Sequence, residues 1–272
     1  MRRVLLLATG DTIAYRPGSS SVASAAELAA AAGPLSLAVV PADMMAEPSW
    51  DMPAGTMLAV ARRVGKALSD EGFDGVVVTH GLDAMESTSF LTSLLVTAPG
   101  GIVFTGARRY LDAPGSDGPR NLAVALTAAA SRADGVAVCL DGTVQDVVRR
   151  QWPEPKGEPE TDVALIRTYP GMPGSIVYTA VDAGARGVVL EGTGSGSIPV
   201  ELFSTVSELS DWDIPVVVAA TGPAGMSVGP ELAERMGAIS ARGLTPVQAR
   251  MALMVALGSG GVTAVRDWFA RI

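Results

Sequence analysis

The chain is poor in the side chains on which several kinds of chemistry depend. Its 272 residues hold a single Cys and a single His. Cys139 has no second thiol to pair with, so an intramolecular disulfide is excluded, and its setting in Gly135-Val-Ala-Val-Cys-Leu140 reads as a buried strand. One Cys and one His cannot furnish a conventional zinc cluster, and a Ser-His-Asp array would have to be built on His80 itself. Positive charge is in deficit: 20 Lys and Arg against 28 Asp and Glu leave a formal charge of −8. The concentrated basic field that phosphate binding needs is therefore missing, and no nucleic-acid partner is expected. Pairs such as Arg62-Arg63 and Arg149-Arg150 read as solvated faces. Long apolar runs are missing too. The first, residues 4–8, is too short for a signal core or a bilayer span, so the expectation is a cytoplasmic protein with no membrane partner.

What the chain does have is short apolar runs separated by Ala-rich helical stretches. The runs fall at residues 4–8, 75–79, 102–105, 136–140, 187–190 and 216–220, each ending in or near Gly, Thr or Asp. Unbroken runs of that length suit parallel strands covered on both faces. Helical period marks residues 53–70, 85–97 and 121–131 between them, and residues 23–32 form an Ala-rich helix. The alternation predicts an α/β fold with a doubly wound, mainly parallel sheet, whose ligands gather at the C-terminal strand ends. Residues 151–160 carry three prolines and read as a loop. Tyr169-Pro-Gly-Met-Pro-Gly174 precedes a fresh strand and helix series. The boundary is therefore expected there, with a larger N-terminal domain over 1–168, a linker at 169–174 and a smaller α/β domain over 175–272. Thr245 followed by Pro246 predicts a capped helix to about Leu257, with a short last helix from near Gly261.

Four local sequences fall where such a sheet would assemble a site. Thr9-Gly10-Asp11-Thr12-Ile13-Ala14 follows the first strand, and Thr79-His80-Gly81-Leu82-Asp83-Ala84-Met85-Glu86 follows another. Ser49-Trp50-Asp51-Met52 lies between them, and Thr105-Gly106-Ala107 with Ser116-Asp117-Gly118-Pro119 and Asn121-Leu122 comes after. In this order and spacing they resemble the motifs of the asparaginase/glutaminase family. The C-terminal half, with Gly187-Val-Val-Leu-Glu-Gly192 and Leu244-Thr-Pro-Val-Gln-Ala-Arg250, resembles that family's smaller domain.

The resemblance implies a threonine amidohydrolase with an amino-acid-like small-molecule substrate and no cofactor or metal. Thr12 stands at the position of the nucleophile, whose weakly acidic hydroxyl needs a nearby base. Asp83 matches the aspartate that holds the substrate ammonium and belongs to the catalytic hydrogen-bonded Thr-Lys-Asp group, and Ser49 the residue that binds the substrate carboxylate. Trp50, Gly81 and Leu82 would line the same hollow. Tyr15 is the nearest match for a lid tyrosine, Ser197 stands where an Asn is common, and Glu231 is the nearest match for an acidic residue given by a neighbouring subunit. The family likeness further implies a homodimer or homotetramer, with sites completed across a two-fold interface. Each residue also has a plainer reading: Thr12 as a turn residue, Ser49 as a turn or capping residue, Asp83 as the cap of the helix starting near Ala84, and His80 as a structural core residue.

The chain departs from the family pattern in three places. Leu82 replaces the second catalytic threonine, and an isobutyl group can neither donate a hydrogen bond nor relay a proton. The family lysine falls near Lys156 only if the loop carries an insertion; in that loop Lys156 also reads as a solvated lysine. Asp11 replaces the second Gly of the first motif and would place a carboxylate beside Thr12, as a base or as a polarity switch against anionic substrates. Three functions remain open: hydrolysis of asparagine or a close amino-acid amide, hydrolysis of a modified metabolite amide, and binding of a small amino acid without catalysis.

Overall fold

From Val4 onward strand β1 (Arg3–Ala8) is buried, because the sheet that contains it is covered on both faces. Val4, Leu6 and Ala8 pack with Val77, Val103, Leu122 and Leu126 on one side; Leu5 and Leu7 pack with Val60, Val64, Val76, Val78 and Phe104 on the other. Alternate residues of a strand point to opposite faces, so two cores leave no polar positions in the run. Each Leu or Val so buried contributes about 1.5–3 kcal/mol against leaving it in water.

The computed structural model describes residues 1–19, 21–147, 152–222 and 234–272. They form two compact units, Met1–Arg149 and Arg150–Ile272. In the first, β1, β2 (Ala38–Asp43), β3 (Gly75–Thr79), β4 (Gly101–Thr105), β5 (Val136–Leu140) and β6 (Thr143–Asp146) lie in the order β2-β1-β3-β4-β5-β6. All pairings are parallel except the last, where β6 returns antiparallel on β5. Helices α1 (Ala25–Ala31), α2 (Ala54–Ser69), α3 (Met85–Leu95) and α4 (Gly118–Ser131) supply the connections. The strand order reverses between β1 and β3, whose last residues Ala8 and Thr79 are register partners. A parallel sheet splits open at such a reversal, and ligands bind there.

The second unit is a four-stranded parallel sheet in the order β10-β9-β8-β7, with β7 at Val163–Arg167, β8 at Gly187–Gly192, β9 at Val216–Ala220 and β10 at Ile239–Ser240. Its described helices are α5 (Ser175–Asp182), α6 (Leu202–Asp211), α7 (Pro246–Leu257) and α8 (Val262–Phe269). Thr245 caps α7 with its side chain on the Gln248 N–H, and Gln248 returns the bond, as the Thr-Pro start predicts. The unit boundary lies ahead of the break at 169–174 chosen from the sequence. The cause is β7, which pairs with β8 over its whole length and so belongs to the second sheet, while the Pro-Gly break only joins β7 to α5.

Candidate active site

Three neighbouring strands deliver the site. β1 ends into residues 9–14, β3 into residues 80–84, and β2 into the loop that reaches a 3-10 turn at Ser49–Asp51. Thr9, almost wholly buried, donates from Oγ1 to the Thr79 carbonyl at 2.6 Å and so ties the exits of β1 and β3 together. At Gly10, with φ +90°, a Cβ would stand 2.9 Å from the Ala46 Cα, so the approach of the two loops requires glycine. Asp11 follows with φ +69°, a left-handed conformation that aspartate tolerates better than most side chains.

That backbone turn brings the Asp11 carboxylate between Thr12 and Ser49. Oδ1 accepts from the Thr12 N–H at 2.6 Å and from the Thr12 hydroxyl at 3.1 Å. Oδ2 accepts from the Ser49 N–H at 2.7 Å. The Ser49 hydroxyl donates to Asp83 Oδ2 at 3.2 Å, completing a hydrogen-bonded path from Thr12 through Asp11 and Ser49 to Asp83. Burial pushes the Asp11 pKa up, but the Ser49 and Thr12 N–H groups and their hydroxyls outweigh it and hold the group below the ordinary aspartate value. Ser49 lies within reach of both carboxylates, and its hydroxyl has one proton to give.

Gly81 closes the other side. A Cβ there would fall 2.0 Å from Asp11 Oδ2 and 2.1 Å from Ser49 Oγ, so the missing side chain is the space the carboxylate uses. The Gly81 carbonyl accepts from His80 Nδ1 at 2.8 Å, which puts the imidazole proton on Nδ1. His80 is fully buried; that burial pushes its pKa down, with the Gly81 carbonyl and the Asp11 charge acting the other way. A neutral, buried ring fits the structural role read from the sequence. Asp83 is not the cap of α3: Ala84 takes that position with no side-chain capping bond, and Asp83 is exposed and accepts from the Ser49 hydroxyl.

The structure thus brings Asp11, Thr12, Ser49, Gly81 and Asp83 together. Leu82 and Trp50, at 39% and 72% exposed, flank them in the chain. Tyr15 also stays in this unit, with its ring 4.9 Å from that of Tyr110 and its carbonyl accepting from Leu111. Lys156 and Ser197 belong to the second unit. Lys156 is exposed and borders a hollow of about 90 Å³ with Glu154, Asp267, Trp268 and Arg271. Ser197 is exposed in the loop after β8, where it bridges Thr193. Glu231 lies outside the described residues.

The fourth motif turns out to brace the site. Asn121, fully buried, donates to the Gly106 carbonyl at 3.0 Å and accepts from the Gly142 N–H at 2.9 Å. The Asp117 carboxylate accepts from the Arg108 and Arg109 N–H groups. These bonds hold the exits of β4 and β5 against the start of α4, and the His80 N–H, donating to the Thr105 carbonyl at 2.7 Å, ties the exit of β3 to that of β4. Thr9 and Asn121 are the residues that reading for chemistry passed over; their signal was a polar side chain directly after a buried strand or inside a helix start.

Residues 3–151 match the family model for the asparaginase N-terminal domain, and residues 162–269 match the glutaminase/asparaginase C-terminal domain. The chain belongs to the asparaginase family. Among curated relatives of this asparaginase-family chain is a glutamyl-tRNA(Gln) amidotransferase subunit from Methanothermobacter thermautotrophicus, 29% identical over 80% of this chain and 62% of the relative. The same-named protein of Thermococcus kodakarensis is 30% identical over 75% of this chain and 58% of the relative. The chain therefore spans only about three fifths of these relatives. Among solved structures, a thermostable L-asparaginase of Thermococcus kodakarensis superimposes with a TM-score of 0.84 at 26% identity, covering 99% of this chain and 97% of that one. A Campylobacter jejuni protein described as a "probable cytoplasmic L-asparaginase" shares the fold over 100% of both chains, with a TM-score of 0.87 at 24% identity. No helix among the described residues is long and apolar enough to cross a membrane.

Proposed function

We infer that the chain hydrolyses the primary amide of a small, amine-bearing molecule, the class that includes asparagine and its relatives, with Thr12 as nucleophile. The observation that carries this reading is the Thr12 hydroxyl directed at Asp11 Oδ1, 3.1 Å away, at the reversal point of the sheet. Thr12 Oγ1 bonds to the amide carbon while its proton passes toward the Asp11 carboxylate; the C–N bond then breaks and the nitrogen leaves as ammonia, taking that proton. Water attacks the threonine ester, its proton returns the hydroxyl to Thr12, and the carboxylic acid departs. The hydrogen bonds that keep Asp11 ionised also make it a weak base, which predicts slow turnover. Asp83 offers acceptors to the substrate's amine. Family kinship supports a homodimer or homotetramer, which sedimentation velocity checks; a monomer alone would remove that part.

The test is ammonia release from a panel of amino-acid amides by the purified chain. Turnover that Thr12→Ala lowers by roughly a hundredfold or more supports the reading, and turnover that survives the substitution overturns it. The relatives described as amidotransferase subunits support a second reading, in which the released nitrogen is handed to another protein. A chain that frees ammonia into solution at the same rate with and without any amide acceptor present argues against that alternative.

A further inference from the structure

The turn that carries Thr12 already holds an anion, and that anion is the chain's own Asp11 carboxylate. Backbone N–H groups at a turn are the donors a bound carboxylate would use, and here those of Thr12 and Ser49 are both engaged by Asp11. Gly81 has no side chain in the volume that Asp11 fills. A second carboxylate, Asp83, is linked to the same Ser49 through its hydroxyl. Among the described residues no Lys or Arg forms an ion pair with Asp11 or Asp83; Arg2, Arg16, Arg63, Arg108, Arg132 and Arg167 pair instead with Asp74, Glu27, Glu71, Asp141, Asp146 and Glu191. An incoming carboxylate would find its donors taken and two like charges facing it. An ammonium would find free carboxylate lone pairs instead, since Oδ2 of Asp11 accepts one bond and Asp83 accepts one.

Resting on the hydrolytic reading above, we propose that Asp11 is the specificity-determining residue of this site, and that it selects a primary amide carrying an amine but no neighbouring carboxylate. Asp11 supplies from the protein the negative group that an amino-acid amide would carry itself. The simplest such molecule is 3-aminopropanamide, which is asparagine with its carboxylate replaced by hydrogen. The site rejects asparagine itself for the reason it accepts this compound: the position of one carboxylate is filled.

The experiment uses the full chain with 3-aminopropanamide and L-asparagine as the probes, and calorimetric binding to Thr12→Ala so that no turnover intrudes. The amine amide is expected to bind at least about tenfold more tightly than asparagine, the ratio that one like-charge contact near a protein surface readily produces. Asp11→Gly, which suits the left-handed backbone, should abolish or reverse that ratio. Asp11→Asn, which keeps the shape and removes the charge, should narrow it and serves if the glycine variant does not fold. Equal or tighter binding of asparagine, an unchanged ratio in both Asp11 variants, or saturable binding of neither probe overturns the assignment. Ammonia release by the wild-type chain separates the two readings. Selective binding with no ammonia from either amide removes the hydrolysis and keeps the specificity; asparagine turnover at a matching kcat/KM removes the specificity and keeps the hydrolysis.

Discussion

The carboxylate of Asp11 lies 2.0 Å from the point where a β-carbon on Gly81 would have to stand. Two departures from an ordinary turn therefore depend on each other: the side chain gained at residue 11 uses the space left empty at residue 81. Gly81→Ala should destabilise the fold by about 1–3 kcal/mol, the usual cost of overpacking a closed site. In an Asp11→Gly background the same change should cost less, with Ser49 Oγ at 2.1 Å left as the remaining clash. Urea midpoints of the two single variants and the double variant form a cycle that reads the coupling directly. Additive effects would show that the two groups do not share this space.

The hydrogen bonds on Asp11 predict how acid acts on the protein. A carboxyl held below its unfolded pKa, about 3.9 for aspartate, stabilises the native state above that value, and the contribution is lost as the pH falls through the folded pKa. Asp11 is such a group, since the donors from Ser49 and Thr12 outweigh its burial. The stability gap between the wild type and Asp11→Asn should then be widest near neutrality and shrink below about pH 4. Denaturant unfolding at several pH values checks this; a gap that does not vary with pH would mean that the charge is not what the donors hold.

His80 titrates in the opposite chemical sense but with the same slope. Its burial depresses the pKa of a base, so the unfolded chain takes up a proton near pH 6.5 while the folded ring stays neutral. Stability should decline as the pH falls below about 6.5, down to the folded pKa, and His80→Gln should flatten that limb. Because this is the chain's one histidine, a single imidazole Cε1–H resonance reports it without assignment work. A midpoint at or above 6.5 would contradict the buried, neutral ring.

How much of this was legible beforehand follows from which forces are local. The run at residues 4–8 announced β1 because two covered faces make every position apolar, and Thr245-Pro246 announced α7 because capping is decided within four residues. Strand β2 was missed: it carries Pro41, its residues are partly exposed, and as the sheet's edge it needs partners on one side only. The boundary was misplaced because β7 has no sequence mark of the sheet it joins. Residues 11, 12, 49 and 83 were legible as a set, from four motifs in order. The bond from the Ser49 N–H to Asp11 was not, since it joins positions 38 residues apart and exists only once β1 and β2 lie side by side.

Leu82 gives the last prediction, and it separates chemistry from packing. The side chain is 39% exposed, so exchanging it for a smaller residue should cost less than about 1 kcal/mol and leave the melting temperature nearly unchanged. Leu82→Thr places a hydroxyl one residue from Asp83, where it can donate to a developing charge or carry a proton between carboxylate and substrate, functions an isobutyl group lacks. Positioned proton transfer is worth about a hundredfold or more when the geometry is right, so an ungeared replacement should still raise amide turnover at least about tenfold. Leu82→Val has nearly the shape of threonine and no hydroxyl, and it should leave the rate where the wild type has it. Equal gains in both variants would assign the effect to the room left by the smaller side chain, and no gain in either would show that proton transfer does not pass through residue 82.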